Sequence, residues 1–212
     1  MTETDTTAPV SGGLLLIVSG PAGSGKTTVC DAMLKAHGDS APPLRRVITS
    51  TTRRPRPGEV HGRDYYFFDD EAFEKKVRAG DFYEHALVHG RGYGTLKQEV
   101  QDKLAASIDL ILNIDVQGAA AFRRAAETDP ALKGRVVTVF IMPPNLDALR
   151  ERLAARGERD ADEVERRLES ARKEMAEAPR YDAIIESGSK EADFKALDRI
   201  YREARARLDG SA

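Results

Sequence analysis

A glycine-rich run near the amino terminus ends in a lysine followed by two hydroxyl residues. It reads Gly-Pro-Ala-Gly-Ser-Gly-Lys-Thr-Thr at residues 20–28 and fits the pattern G-x-x-x-x-G-K-[ST]. An apolar, strand-like run at residues 14–19 precedes it, and a helical pattern follows it. Glycines in such a run let successive backbone N–H groups point at one polyphosphate at the start of a helix. The run therefore predicts a phosphate-binding loop.

The side chains of this loop are suited to separate roles toward a nucleoside triphosphate. Lys26 brings a positive charge to the β- and γ-phosphates, and the Thr27 hydroxyl suits a Mg²⁺ ion that bridges them. We predict ATP binding by nine residues, with Thr27 as the metal ligand: Gly20, Pro21, Ala22, Gly23, Ser24, Gly25, Lys26, Thr27 and Thr28. A glycine turn with a purely structural role is the alternative.

A second charged cluster lies between Arg45 and Arg63, where six arginines accompany a single carboxylate, Glu59. Because the whole chain has a net charge of −2, this concentration indicates an anionic ligand rather than ordinary surface charge. Prolines stiffen the segment, and Arg53 and Arg56 are able to clamp one phosphate in a bidentate manner. Surface arginines paired with neighbouring acids are the alternative.

Alternating strand-like and helical stretches must position these two clusters. Their order predicts an α/β fold with a buried parallel sheet. We predict five strands, at Leu14–Ser19, Val47–Ser50, Leu110–Ile114, Val136–Ile141 and Ala183–Ile185. The aromatic-rich block at residues 51–94 differs in composition and contains one predicted helix at Glu71–Ala79, so we interpret it as an inserted subdomain.

Helix signals follow toward the carboxyl terminus. We predict that Asn145 caps a helix running through Leu153, that Gly157 ends this helix, and that Asp162 begins the next one. The break between the two helices is a candidate hinge. A closing helix around residues 194–201 is expected to pack on the sheet.

Composition excludes several classes of protein. With 212 residues, 41% hydrophobic and 32% charged, the chain is long enough to bury one core. Its net charge argues against a general nucleic-acid or membrane coat. No apolar run reaches the roughly 20 residues that span a bilayer, and residues 1–13, interpreted as a disordered tail, lack the order of a signal peptide. The single cysteine, Cys30, excludes an internal disulfide and favours a reducing, cytoplasmic location.

Further short motifs occur in a fixed order along the chain. They are S-T-T-R-x-P-R-x-G-E-V-x-G-x-D-Y at residues 50–65, Phe82-Tyr83-Glu84, Gly92-Tyr93-Gly94-Thr95, Ile114-Asp115-Val116-Gln117-Gly118, Pro143-Pro144, and the arginines Arg152, Arg156 and Arg167. Together with the phosphate-binding loop, they make the chain from Leu14 to Ala178 closely resemble the guanylate kinases.

The resemblance implies a P-loop nucleoside monophosphate kinase-like fold, with a central parallel sheet flanked by helices, an inserted GMP-binding subdomain and a helical lid. On this basis we expect a tail at residues 1–13 and a domain at 14–208. That domain would comprise a core at 14–48 and 96–208, a GMP-binding subdomain at 49–95 and a lid at about 152–168.

The resemblance also implies ATP-dependent phosphorylation of GMP and dGMP in purine nucleotide metabolism, with Mg²⁺ as cofactor. The implied GMP-binding residues are Thr49, Arg53, Arg56, Tyr65, Glu84, Tyr93, Thr95 and Asp115. The implied catalytic residues are Lys26, Arg53, Arg152, Arg156 and Arg167. Carboxylates accept from the adjacent N1–H and N2–H₂ donors of guanine, whereas adenine presents an acceptor at N1. We expect no nucleic-acid or membrane partner and leave the oligomeric state open.

The chain departs from the family pattern at a few positions. Thr49 and Thr95 stand where many relatives have serine, and Asn113 stands where some have aspartate. Residues 185–188, Ile-Glu-Ser-Gly, replace an Asn-Asp pair near the adenine, so the contacts to the ATP base stay open.

Two other functions also stay open. One is a catalytically silent, guanylate kinase-like module that binds phosphorylated peptides, and the other is a kinase for a different nucleotide or a sugar phosphate. Residues 150–167 hold six acids and six arginines, which is also typical of an exposed helix surface.

Overall fold

The computed structural model describes residues 12–155 and 160–210. The first half of the described chain contains β1 (Leu15–Ser19), α1 (Lys26–His37), β2 (Leu44–Arg46), β3 (Ser50–Thr51), β4 (Tyr66–Phe67), α2 (Asp70–Ala79), β5 (Phe82–Val88) and β6 (Arg91–Leu96). The second half contains α3 (Lys97–Ala105), β7 (Asp109–Asn113), α4 (Val116–Thr128), β8 (Val136–Met142), α5 (Leu146–Ala155), α6 (Ala161–Met175), β9 (Ala183–Glu186) and α7 (Lys190–Leu208).

Five parallel strands form the central sheet, in the order β2-β7-β1-β8-β9. The middle strand is β1, with Val18 beside Asn113 of β7 and Ser19 beside Phe140 of β8. All of β1 is buried, as expected for a parallel strand with helices on both faces of its sheet. The sheet confirms the predicted α/β fold, and it contains four of the five predicted strands, with bounds within one residue of those predicted.

Two apolar clusters cover the two faces of this sheet. On one face, α1 and α7 contribute the buried Met33 and Leu197, and alternate residues of β1, such as Val18, point toward them. On the other face, α3 and α4 contribute Leu104 and Phe122. The closing helix α7 therefore packs on the sheet, as predicted.

A second, smaller sheet is built from the residues between β2 and α3. Its strand order is β4-β3-β6-β5, with β3 and β4 parallel and the other pairs antiparallel. The helix α2 lies close to the predicted bounds and packs on this sheet, with the Phe73 ring centre 4.8 Å from that of Phe82. Asp69 caps α2 by accepting from the Ala72 N–H at 2.7 Å.

The predicted strand at Val47–Ser50 is wrong in its bounds, because this segment crosses between the two sheets. Val47 still donates its N–H to the Ile111 carbonyl oxygen at 3.1 Å. The next N–H, that of Ile48, points to the opposite edge of the segment and donates to the Glu99 carboxylate at 2.9 Å. Strand pairing therefore ends with β2 at Arg46 and resumes with β3 in the second sheet.

The helices α5 and α6 pack on each other through a small core of their own, which includes Leu153 and Leu168. Asn145 accepts from the Ala148 N–H at 2.7 Å, which confirms the predicted start of α5. The predicted start at Asp162 is wrong by one residue, because α6 begins at Ala161; Asp160 is its cap, and the Asp160 carboxylate accepts from the Asp162 N–H at 3.0 Å. Gly157 and the predicted break lie outside the described residues.

Three further predictions concern the amino-terminal tail, the single cysteine and membrane-spanning helices. Residues 1–11 of the predicted tail lie outside the described residues; Gly12 and Gly13 are buried, and Gly13 donates to the Leu104 carbonyl oxygen at 2.8 Å. Cys30 is buried in the core, and burial raises the pKa of its thiol to about 12. In the described part of the chain, the helices are too short or too polar for any of them to span a bilayer.

Candidate active site

The phosphate loop, residues 20–28, connects β1 to α1 at the carboxyl end of the central sheet. Gly20 and Gly25 have φ values of 141° and 103°, which side chains other than glycine rarely adopt. A Cβ atom on Gly20 would lie 2.4 Å from the Ile141 carbonyl oxygen, so glycine is also required there for space. Because α1 begins at Lys26, the positive end of its dipole faces the loop.

The two predicted side-chain ligands of the loop contact nearby polar groups. The Lys26 Nζ donates to the carbonyl oxygens of Gly20 and Pro21 at 2.6 and 2.9 Å, so the lysine folds over the loop. The exposed Thr27 hydroxyl accepts from Nδ2 of Asn113 at 3.2 Å. Asn113 is the last residue of β7, so the end of that strand lies beside the phosphate loop.

The same strand leads directly to Asp115. Ser19, the last residue of β1, donates its hydroxyl to the Ile114 carbonyl oxygen at 2.8 Å. Asp115 caps α4, because its Oδ1 accepts from the Gly118 N–H at 2.8 Å. Parallel neighbours in a sheet end at the same edge, and this is why Asp115 lies next to the phosphate loop.

A cavity of about 310 Å³, named here the Glu84 cavity, lies between β5 and α4. Glu84 and Asp115 line it together with Gln117 and Arg124 of α4. The Thr95 hydroxyl of the neighbouring strand β6 donates to Glu84 Oε1 at 2.6 Å. Burial, and to a smaller extent the charge of Asp115, raise the pKa of Glu84 above its ordinary value. Two carboxyl groups on one cavity suit a ligand that presents adjacent N–H donors.

Arg53 is held by a bidentate ion pair just after β3. Its Nη1 and Nη2 donate to Oε2 and Oε1 of Glu59 at 2.9 and 3.0 Å. Hydrogen bonds from Arg53 and from the Arg56 backbone lower the pKa of Glu59 to about 2, so this carboxyl group is ionised at neutral pH. The Arg53 guanidinium lies 5.4 Å from the centre of the Tyr65 ring, which is 6.4 Å from that of Tyr93. Three of the predicted GMP-binding residues therefore lie together.

The other two predicted GMP-binding residues belong to the same stretch of chain. Arg56 is exposed, and its backbone N–H donates to Glu59 Oε2 at 2.7 Å. Thr49 is half-buried at the crossing between the sheets, and its carbonyl oxygen accepts from the Tyr66 N–H at 2.9 Å.

A second cavity, of about 350 Å³ and named here the Arg152 cavity, lies between the phosphate loop, α5 and the start of α7. Arg152 Nη1 donates to Ser187 Oγ at 3.0 Å and lies 3.5 Å from the Gly23 carbonyl oxygen. Ser187 donates in turn to Oδ2 of the buried Asp193 at 3.2 Å. The other oxygen of Asp193 accepts from the Gly188 N–H at 2.8 Å. Arg152 is thereby fixed beside the phosphate loop.

Arg156 and Arg167, which were also predicted to be catalytic, differ from Arg152. Arg167 is exposed on α6 and donates from Nε to Glu163 Oε1 at 2.8 Å, which lowers the pKa of Glu163. This pair spans one turn of the same helix, so it is not a contact with the phosphate loop. Arg156 lies outside the described residues.

The sequence model of the family described as guanylate kinase matches residues 13–204. The chain belongs to the guanylate kinase family.

Individual guanylate kinases support the same conclusion. That of Thiobacillus denitrificans is 41% identical over 199 residues, covering 94% of this chain and 90% of the relative. That of Hahella chejuensis is 39% identical, covering 92% and 89%. The crystal structure of guanylate kinase from Anaplasma phagocytophilum has a TM-score of 0.65 at 31% identity, covering 93% of this chain and 87% of that one. These findings confirm the predicted family, its fold and the prediction that the chain is an enzyme.

Several residues of this guanylate kinase site are not among those predicted from the sequence. Glu174 of α6 is half-buried, and its pKa is raised chiefly by burial. The charges of Lys26 and Asp115 act on the pKa of Glu174 in opposite directions, Lys26 lowering it and Asp115 raising it. Its position seven residues after Arg167, on the same helix face, was an available signal.

Three more residues that the sequence predictions missed, Glu59, Ser187 and Asp193, differ in how visible they are in the sequence. Glu59 is the only acid among the arginines at residues 45–63, which sets it apart from surface charge. Ser187 stands in the stretch that departs from the family pattern. Asp193 lies only six residues after Ser187, but its link to Arg152 through Ser187 required the folded chain.

A buried carboxylate joins the second sheet to the core of the guanylate kinase fold. Glu99 accepts from the Ile48 N–H at 2.9 Å and from the Tyr66 hydroxyl at 2.8 Å, and it pairs with Lys103. These bonds connect α3, the crossing segment and β4. They fix the position of the residues around Arg53 relative to the phosphate loop.

Proposed function

We propose that this chain catalyses the reaction of its family, the transfer of the γ-phosphoryl group of ATP to GMP, with the residues predicted from the sequence. In this proposal the phosphate loop and the Arg152 cavity hold ATP. The Glu84 cavity and the region around Arg53 hold GMP, or dGMP. The products are ADP and GDP, and the role is in guanine nucleotide metabolism and recycling.

The donor side is supported by the phosphate loop and its surroundings. Its left-handed glycines and the amino terminus of α1 are suited to a polyphosphate. Lys26 adds a charge for the β- and γ-phosphates. Arg152, fixed by Ser187 next to Gly23, adds a second charge at the edge of the same loop. The Arg152 cavity is the space that we assign to the adenosine.

The acceptor side is supported by two groups of side chains. Arg53, Arg56 and the hydroxyls of Tyr65 and Tyr93 would hold the GMP phosphate, and Thr49 would face the base. Guanine presents donors at N1 and N2, and in this proposal Glu84 and Asp115, which line one cavity, accept from them. Adenine presents an acceptor at N1, so AMP would leave the half-buried carboxylate of Glu84 without a donor. Selection for guanine follows from that difference.

The reaction needs alignment and charge more than a base. A phosphate oxygen of GMP attacks the γ-phosphorus of ATP, and a new P–O bond forms there. The bond from the γ-phosphorus to the β,γ-bridging oxygen breaks, and the electron pair leaves with ADP. Because the nucleophile is already anionic, Lys26, Arg53 and the lid arginines act by positioning and by neutralising the transferring group.

Mg²⁺ is part of the proposal as the family's cofactor. The Thr27 hydroxyl is exposed at the phosphate loop and accepts one hydrogen bond from Asn113, which leaves an oxygen lone pair for a cation. Within the described residues no group of three or more His, Cys, Asp or Glu side chains is arranged to hold a metal. The site therefore fits an ion whose other ligands are nucleotide oxygens and water, as is usual for Mg²⁺. When bound, the ion neutralises charge on the β- and γ-phosphates.

The proposed division of the chain follows from these roles. Residues 49–95 would form the GMP-binding subdomain and residues 14–48 and 96–208 the core. Residues of about 152–168 would form a lid, whose closure brings Arg156 and Arg167 to the phosphates and keeps out water. The separate apolar core of α5 and α6 supports a lid that moves as a unit.

The observation that carries the proposal is that the phosphate loop lies beside Asp115, which lines the Glu84 cavity. The ends of β1 and β7 are neighbours, so the phosphate loop and Asp115 lie side by side. The test uses ATP labelled in its γ-phosphate, together with GMP and Mg²⁺. The proposal predicts that the label appears in GDP. Label found only in inorganic phosphate, or no GDP formed, would contradict it.

Of the two alternative functions, the silent phosphopeptide-binding module has the least support, because the phosphate loop is intact and the chain belongs to a family of enzymes. A kinase for another acceptor is opposed by the paired carboxyl groups of the Glu84 cavity. A cytoplasmic site of action remains part of the proposal, since the one cysteine is a buried thiol.

A further inference from the structure

We infer that Glu59 is a positioning residue for the acceptor, holding the Arg53 guanidinium in the orientation that receives the phosphate of GMP. The inference rests on the proposed function of the Arg53 region. Glu59 does not itself touch GMP in this account. It acts through Arg53 and through the backbone of Arg56.

The hydrogen bonds of Arg53 occupy one end of its guanidinium. Nη1 donates to Glu59 Oε2 at 2.9 Å and to the Arg54 carbonyl oxygen at 2.8 Å. Nη2 donates to Glu59 Oε1 at 3.0 Å. These bonds use three of the five N–H groups that an arginine carries. The remaining two, on Nε and on Nη2, lie along one edge and form a second fork.

That second fork has the geometry for a phosphate. Two parallel N–H groups on one edge match two oxygens of a phosphate in bidentate fashion. Glu59 and, to a smaller extent, the nearby Tyr93 hydroxyl raise the pKa of Arg53. By filling the far end of the guanidinium, Glu59 leaves the edge fork as the part of Arg53 that a phosphate can use.

Glu59 also fixes the turn that carries the second arginine. The Arg56 N–H donates to Oε2 at 2.7 Å, so the same carboxylate holds both Arg53 and the backbone three residues away. The Arg53 and Glu59 side chains are each only 19% exposed, and the Tyr65 ring lies beside the guanidinium. A side chain held on several sides in this way is preorganised, which lowers the entropy lost when a ligand binds.

Electrostatics alone predicts the opposite effect for this residue. A carboxylate beside a phosphate site cancels positive charge and repels the ligand, so its removal would strengthen GMP binding. Preorganisation predicts that its removal weakens GMP binding. The sign of the change in the KM for GMP therefore separates the two roles.

The experiment measures kcat and both KM values for Glu59→Gln, a change that removes the charge and keeps the size. We expect the KM for GMP to rise by about tenfold or more, the scale on which residues that orient a binding group act, with the KM for ATP unchanged. The matched control is Glu74→Gln, because Glu74 pairs with Arg78 on the exposed surface of the same segment. The control is expected to leave all three constants unchanged.

A double-mutant cycle tests whether Glu59 acts through Arg53. In the Arg53→Ala background, Glu59→Gln is expected to change the KM for GMP less than about twofold, because neighbouring residues that act as one unit are not additive. Should Glu59→Gln fail to fold, Glu59→Asp keeps the charge but shortens the reach. It is expected to raise the KM for GMP while that for ATP stays the same.

Two outcomes would overturn the inference. One is a KM for GMP that falls or stays the same in Glu59→Gln. The other is an equal loss in the wild-type and Arg53→Ala backgrounds. Failure of the proposed function is distinguishable from both, because in that case the wild-type protein itself would make no GDP from ATP and GMP.

Discussion

Thr95 and Glu84 are register partners on adjacent strands, and the Thr95 hydroxyl donates to Glu84 Oε1 at 2.6 Å. The register between β5 and β6 is irregular just before this pair, between Phe82 and Glu84. The bond occupies one oxygen of the carboxylate and fixes its direction. The second oxygen is left for a ligand in the Glu84 cavity.

This arrangement predicts a selective effect of Glu84→Gln. The amide keeps an oxygen for Thr95 but replaces the second oxygen with a donor, which opposes the N1–H or N2–H₂ of guanine. We expect the KM for GMP to rise about 10- to 100-fold, as for the loss of a hydrogen bond to a charged group worth about 1.5–3 kcal/mol. Steady-state kinetics with each substrate varied in turn measure this. Equal changes in the two KM values would remove Glu84 from the base site.

The same substitution is expected to stabilise the fold at neutral pH. The pKa of Glu84 is raised in the folded state, so above that pKa the native protein carries a carboxylate that the unfolded chain accommodates more easily. This cost is lost as the pH falls through the raised pKa toward about 4.3, the ordinary value. Thermal melts of both proteins across this range should show a higher Tm for Glu84→Gln at pH 7 and convergence at low pH. A lower Tm for the variant at pH 7 would contradict the expectation.

Lys26→Ala tests the donor side. The lysine lies over the phosphate loop, and its charge is expected to act on the transferring phosphoryl group. We expect kcat to fall by about 10²- to 10³-fold, the typical cost of removing one group that stabilises a transition state. The control is Lys35→Ala, at an exposed position nine residues along the same helix, which should leave kcat unchanged. Wild-type turnover in Lys26→Ala would refute the role.

The extent to which the sequence predicts this molecule depends on the distance between interacting residues. The phosphate loop and α2 are local features with their own turn and cap residues, so spacing predicts them well. Four of the five central strands are largely apolar runs, and the sequence predicts their bounds to within one residue; β2, which reads Leu-Arg-Arg, is the exception. The bounds predicted at Val47–Ser50 are wrong, because the path of this segment depends on distant residues such as Glu99, about fifty residues away, which accepts from the Ile48 N–H.

The site residues likewise divide into those that the sequence identified and those that only the folded chain reveals. Arg53 and Tyr65 are close in the chain, and the resemblance to the family identified both. Arg152 and Ser187 are thirty-five residues apart and meet only when α5 lies beside the connection from β9 to α7, so no sequence spacing encodes that contact. Glu59 was visible as the single acid among arginines, but its bidentate geometry required the folded turn.

The Ser187 hydroxyl links Arg152 to Asp193, which predicts a donor-specific effect of Ser187→Ala. Without the hydroxyl, Arg152 loses its anchor and one oxygen of the buried Asp193 loses a partner. We expect the KM for ATP to rise about 3- to 10-fold, on the scale of one hydrogen bond of about 1 kcal/mol. The KM for GMP should not change. Ser40→Ala, at the far end of α1, is the control. An effect on the KM for GMP alone would contradict the prediction.

Selection of the acceptor base by carboxyl groups is the central claim of this account, and a panel of acceptors tests it most directly. The measurement is kcat/KM for GMP, dGMP, AMP, CMP and UMP, from ADP released with ATP as donor. A site that leaves buried polar groups unpaired with the wrong base should favour GMP over AMP by about 10⁴-fold or more. Phosphorylation of AMP or UMP as efficient as that of GMP would contradict it.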